Sequence, residues 1–128
     1  NMKSQINKVR AFHNAFKQEN GIIPSNTEQN VYELRHRLMA EENDEYLEAC
    51  KNNDLIGIAD ALGDQLYILC GTILKHGLQN KIEDVFNEIH ESNMSKLDED
   101  GKPIFREDGK VLKSNNYFKP DLTKFIKI

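Results

Sequence analysis

No lysine or arginine occurs between Lys51 and Lys75. The same stretch holds the most apolar run of the chain, Leu55 to Leu74, and two aspartates, Asp60 and Asp64, sit inside it with no local cation to pair with. Cysteine is scarce too. Cys50 and Cys70 have neither CxxC nor metal-ligand spacing, which excludes a disulfide framework and reads as two reduced packing thiols in a reducing cytoplasm. Hydrophobic residues make up only 38% of the 128 and charged residues 30%, so a core must be narrow or completed by a partner chain. No positively charged leader precedes an apolar run, and two aspartates, a glutamine and small residues interrupt Leu55 to Leu74, so neither an export signal nor a membrane span is expected. A basic stripe is missing as well. Net charge is -4, and residues 28 to 64 hold ten acids against Arg35, Arg37 and Lys51, a local balance of -7, which is not the footprint of a general nucleic-acid binder. Internal repeats, low-complexity tracts and linkers are not evident.

What is present is helical periodicity. Ile6, Val9, Phe12, His13 and Phe16 recur at three and four spacing and predict an amphipathic helix over residues 2–18, with Asn20-Gly21 as its stop. Ser25-Asn26-Thr27-Glu28 offers caps for a second, longer helix to Asn52, carrying Val31, Leu34, Leu38, Met39, Tyr46, Leu47 and Cys50. The third helix, residues 54–76, is apolar nearly all round and so is expected to be central and most buried, ending at His76-Gly77. Ile82, Val85, Phe86 and Ile89 predict a fourth over residues 80–93. Beyond Met94, Asp108-Gly109 between apolar pairs predicts a hairpin in Pro103 to Lys113, and Tyr117 to Ile126 an extended packing tail. The expected fold is all-α: a bundle of four to five helices with a small C-terminal β-hairpin and extended tail, one domain over residues 1–128 with its helical core in 2–97 and its hairpin and tail in 98–128.

Asp60 and Asp64 lie four apart and share a helical face, as do Glu42 and Glu45 three apart on the preceding helix, with Glu41 to the side. An acidic run on its own is what a solvated helix face carries; two acids in an apolar helix are not. They need a cation or a distant Lys or Arg. A short-looped helical hairpin brings the two acidic faces together, and carboxylates about 4 Å apart repel by roughly 4 kcal/mol at an effective dielectric of 20, so four could not stay ionised without a counter-charge. All-oxygen donors select a hard ion, Mg²⁺ or alternatively Mn²⁺. One Glu-x-x-His, Glu33 to His36, without a second copy is not the di-iron pattern, and neither a nucleophile elbow nor a Walker glycine loop occurs. A hard-cation site handles phosphates, for which Asn93 and Lys96, and Lys110 and Lys113 at the hairpin, are the candidate ligands. The plain alternatives for these are a helix terminator, a helix C-terminal charge and solubilising lysines.

The segments Leu38-Met-Ala-Glu-Glu-Asn-Asp-Glu-Tyr-Leu-Glu-Ala49, Ile58-Ala-Asp-Ala-Leu-Gly-Asp-Gln-Leu-Tyr67 and Asn93-Met-Ser-Lys96 together resemble the all-α nucleoside triphosphate pyrophosphohydrolases, which include MazG, phosphoribosyl-ATP pyrophosphohydrolase and the dimeric dUTPases. The resemblance spans roughly residues 28–97, and the tail is more similar to the phosphoribosyl-ATP pyrophosphohydrolase-like members than to MazG. It implies an all-α fold and Mg²⁺-dependent hydrolysis of a nucleotide at the α-β phosphoanhydride to a monophosphate and pyrophosphate. It further implies a role in clearing the nucleotide pool, a homodimer or homotetramer, and a nucleotide, not a nucleic-acid polymer or a membrane, as partner. The metal ligands it implies are Glu42, Glu45 and Asp64; Glu41 or Glu45 is the candidate general base. The family's remaining glutamate would fall at Ala61, and Asp60 one position earlier is the expected substitute. A binding module that has lost turnover and a purely structural helical oligomer stand as alternatives.

Overall fold

The computed structural model describes residues 1–127. Four α-helices carry the described chain, α1 (Lys3–Ala15), α2 (Gln29–Lys51), α3 (Leu55–Lys75) and α4 (Ile82–Met94), followed by the short strands β1 (Ile104–Phe105) and β2 (Val111–Leu112) and a 3₁₀ turn at Leu122–Lys124. The fold is all-α with a small hairpin, as the periodicity predicts. Two compact units divide the chain, Asn1–Asn80 and the part from Lys81 onward.

In the first unit, α3 packs against both α2 and α1. It supplies Ala61, Cys70, Gly71, Ile73 and Leu74 to the core, where Ile6, Val9 and His13 of α1 and Arg35 and Ala49 of α2 join them. That agrees with a central helix. The rest of α3 is not enclosed, however: Leu55 and Ile56 are 75% and 81% exposed, and Leu62, Leu66, Tyr67 and Leu69 also face outward. By length and composition alone α3 is apolar enough to cross a membrane, a test that the core helix of a soluble protein also passes.

The first three helices end in one device. At each C-terminus the N–H two residues past the cap reaches back five positions, Gln18 to His13 O, Asp54 to Ala49 O and Leu78 to Ile73 O, with the residue between them in the left-handed region. Gly77 (φ 67°) and Asn53 (φ 53°) suit that position; Lys17 (φ 57°) does not. This closure stops α1 at Ala15, ahead of the Asn20-Gly21 signal. Asn20 and Gly21 instead dock the chain onto α3, with Gly21 N donating to Leu74 O at 2.8 Å. Asp54 caps α3, its side chain accepting from Gly57 N at 2.9 Å.

In the second unit the tail lies along α4. The buried Ser92 donates its hydroxyl to Phe118 O at 2.8 Å, Ser114 donates to Leu97 O at 2.7 Å, and Lys124 pairs with Glu88 at 3.0 Å. β1 and β2 pair antiparallel with Ile104 opposite Leu112 and Phe105 opposite Val111. The tetrapeptide Glu-Asp-Gly-Lys occurs twice, at residues 99–102 and 107–110, a repeat too short to register as periodicity. Both copies fold the same way, with Gly101 (φ 74°) and Gly109 (φ 87°) each donating three residues back, to Asp98 O and Arg106 O.

Candidate metal centre

Glu42 and Glu45 project from one face of α2, and Asp64 meets them from α3. One carboxylate oxygen from each lies within 4.8 Å of the others. Beside this group an amide bridge joins the helices: Gln65 Nε2 donates to Asn43 Oδ1 at 3.1 Å, fixing the register one residue along from Glu42 and from Asp64. Spacing alone does not mark this pair. Its only signal was an amide next to an acid on both helices.

The electrostatics of the group are those of charge without a counter-charge. Glu42 is half-buried, its Oε2 is shielded from solvent with no hydrogen-bond partner, and its pKa is pushed up to about 7. The main cause is a proton shared with Glu45, followed by burial and by the negative charges of Glu45, Asp64 and Asp60. Among the described residues the ion pairs are Arg106 with Asp108 and Lys124 with Glu88, so none of the four acids has a basic partner. Arg35 of α2 is engaged elsewhere: its Nε donates to Thr72 Oγ1 at 3.0 Å and its Nη2 to Ile68 O at 2.8 Å. An orphaned buried oxygen within a triad of carboxylates fits a hard cation, which would satisfy the oxygen and remove the repulsion together.

The remaining expected residues fall in different places. Asp60 is exposed and stands outside the group of three; it adds negative charge at Glu42 and lines a cleft of about 250 Å³ with Glu45, Glu48 and Asp54. Ala61, where the resemblance expects a glutamate, is 2% exposed and part of the core. Glu41 is exposed and also outside the triad. Asn93 lies in the last turn of α4, and Lys96 N donates to its carbonyl at 3.2 Å. Lys113 stacks its ammonium 4.7 Å above the Tyr117 ring, and Lys110 N donates to Asp108 Oδ1 at the hairpin turn. These four belong to the second unit.

A family model described as phosphoribosyl-ATP pyrophosphohydrolase matches residues 9–93, more than half of the chain. No curated protein matches it. With helices in the expected order and an acidic triad between the two that carry the motif, the chain belongs to the phosphoribosyl-ATP pyrophosphohydrolase family of the all-α nucleoside triphosphate pyrophosphohydrolases, and is a nucleotide pyrophosphohydrolase.

Proposed function

We propose that the chain hydrolyses a nucleoside triphosphate or related nucleotide at the α-β phosphoanhydride, with Mg²⁺, or Mn²⁺ in its place, held by Glu42, Glu45 and Asp64 and with Asp60 at its edge. The observation that carries this is the convergence of three carboxylates within 4.8 Å without a basic partner. The cation would neutralise the acids and draw charge from the phosphate oxygens, so that substrate is not repelled. Glu45, or Glu41 beside it, takes a proton from water as the water oxygen bonds to phosphorus; the P–O bond to pyrophosphate breaks, and the monophosphate remains. Asn93 and Lys96, with Lys110 and Lys113, bind phosphate or sugar in this reading. Clearing unwanted nucleotides from the pool is the role such an activity would serve.

The whole chain would act as one domain, since the family match runs past Asn80 into α4. The outward apolar residues of α3, together with Phe12 and Phe16 of α1, support a homodimer or homotetramer in which a second copy covers them. Two free thiols suit a reducing cytoplasm. The net negative face around the triad disfavours a nucleic-acid polymer as substrate.

The test is pyrophosphate release across canonical and modified nucleotides with Mg²⁺, Mn²⁺ or a chelator. Release is expected from a subset of nucleotides, lost with chelator and lost in Asp64→Asn and Glu45→Gln. Release that persists unchanged in both variants would overturn the site.

A further inference from the structure

At the far end of the first unit from the acidic triad, a polar cleft of about 820 Å³ opens between the C-terminal end of α1, the chain after it and the residues following α3. Arg10, Asn14, Lys17, Asn20, Gln79 and Asn80 line it. Its distance from the triad follows from α3 itself: Asp64 and Lys75 are eleven residues apart, about 16 Å at the α-helical rise. The floor is rigid. Gly21 is held to α3 by Leu74 O, Gln79 Nε2 donates to Gly21 O at 3.0 Å, and Lys75 Nζ donates to Glu19 O at 2.6 Å.

Three features of the cleft bear on what it could hold. The Arg10 guanidinium and the Lys17 ammonium have no hydrogen-bond or ion-pair partner among the described residues, and the one carboxylate in the lining, Glu19, leaves the rim with an excess of positive charge. Gln79 Oε1 is buried with no donor to satisfy it, although the other half of the same amide is used. Lys17 holds a left-handed backbone (φ 57°) at a helix end where glycine would sit without strain. An unpaired Arg and Lys suit phosphate oxygens; an orphaned acceptor, with amides around it, needs an N–H or O–H donor.

We propose that this cleft is a second binding site, separate from the triad, for a phosphorylated ligand whose other end carries hydrogen-bond donors: a nucleotide or a sugar phosphate. Arg10 and Lys17 hold the phosphate, and Gln79 Oε1, shielded from solvent where it stands, accepts from the sugar or base once its side chain turns toward the cleft. The cleft is large enough for either. This proposal does not depend on the hydrolytic reading of the triad.

Calorimetric titration of the full chain, in chelator so that no cation bridges nucleotide to the acids, separates the possibilities. Adenosine monophosphate, ribose 5-phosphate and inorganic phosphate serve as probes. Binding of the first two assigns a sugar phosphate, and of the first alone a nucleotide. In either case Arg10→Glu with Lys17→Glu should weaken binding at least tenfold, while Asp64→Asn leaves it unchanged. Lys17→Gly gives a second readout that a folding defect cannot imitate: a melting temperature raised by a few degrees, with affinity reduced severalfold. No saturable binding by either organic phosphate overturns the proposal, as does binding that survives the charge reversal or is lost in Asp64→Asn. Inorganic phosphate bound as tightly as the monophosphate also overturns it, since Gln79 and the amides would then contribute nothing.

Discussion

The α2–α3 pair encloses charge at two places and treats it in opposite ways. Toward the start of α2, Arg35 is 6% exposed, yet its guanidinium meets the Ile68 carbonyl and the Thr72 hydroxyl, and that hydroxyl donates onward to Ile68 O. Two turns further along α2, Glu42 faces Glu45 and Asp64, and one of its oxygens has nothing to bond. Burying a charge is tolerable when neutral dipoles surround it and costly when like charges do. The first arrangement is therefore complete within this chain, while the second is complete only with something added. One polar centre holds the helices together; the other holds them ready for a ligand.

Substitution should split stability from activity along that line. Asp64→Asn is expected to lower pyrophosphate release by at least about 100-fold, as loss of a metal-binding group does. The melting temperature without metal should stay level or rise, because one of three repelling charges is gone. Arg35→Ala should do the reverse. It removes both guanidinium bonds, to Ile68 O and Thr72 Oγ1, and opens a cavity, a loss of about 2–4 kcal/mol in urea denaturation. If Asp64→Asn proved as destabilising as Arg35→Ala, the triad would be part of the scaffold and the contrast would collapse. Gly71→Ala probes the scaffold side more gently. A Cβ there would lie 2.6 Å from Arg35 Nη2 and 3.1 Å from His13 Nε2, and displacing a bonded guanidinium should cost about 1–3 kcal/mol with metal-dependent hydrolysis retained.

These two centres were not equally legible in the sequence. Carboxylates at i, i+3 on one helix and an aspartate in an apolar run on the next are a local signal, so Glu42, Glu45 and Asp64 could be brought together by spacing and a short connection. Spacing assigns a face but not a depth. Asp60 shares the face of Asp64, yet it lies one turn nearer the α2–α3 connection, where the helix is exposed, and it falls outside the triad. Arg35 carried no signal, because a cation in an acidic amphipathic helix reads as solvated and its partners are 33 and 37 positions away. Lys17 misled in another way: a helix end closed on a left-handed lysine contradicts the rule that glycine marks the stop, and so the helix was expected to run on toward Asn20. The Asp108-Gly109 turn was legible because its chemistry is local, and Gly101 shows that the same four residues fold alike a second time.

The subtlest separation of the two centres is their response to pH. Glu42 is raised from an ordinary 4.5 to about 7, so its contribution to the stability of the metal-free fold is fully present below about 4.5 and is lost as pH rises through about 7. His13, beside Arg35, is lowered from 6.5, chiefly by burial; its hydrogen bond to Asn20 Oδ1 at 2.5 Å opposes the shift, and the charges of Lys75 and Arg35 add to it. Its contribution runs the other way, present above 6.5 and lost as pH falls through its depressed value. Melting temperature measured from pH 5 to pH 8.5 without metal should therefore decline on both sides. Glu42→Gln should flatten only the alkaline side and His13→Gln only the acid side. Because a cation must displace the proton shared by Glu42 and Glu45, added Mg²⁺ should raise the melting temperature more at pH 8 than at pH 6. An equal rise at both values would mean that the cation binds somewhere other than the triad, and the two centres would then differ in charge but not in purpose.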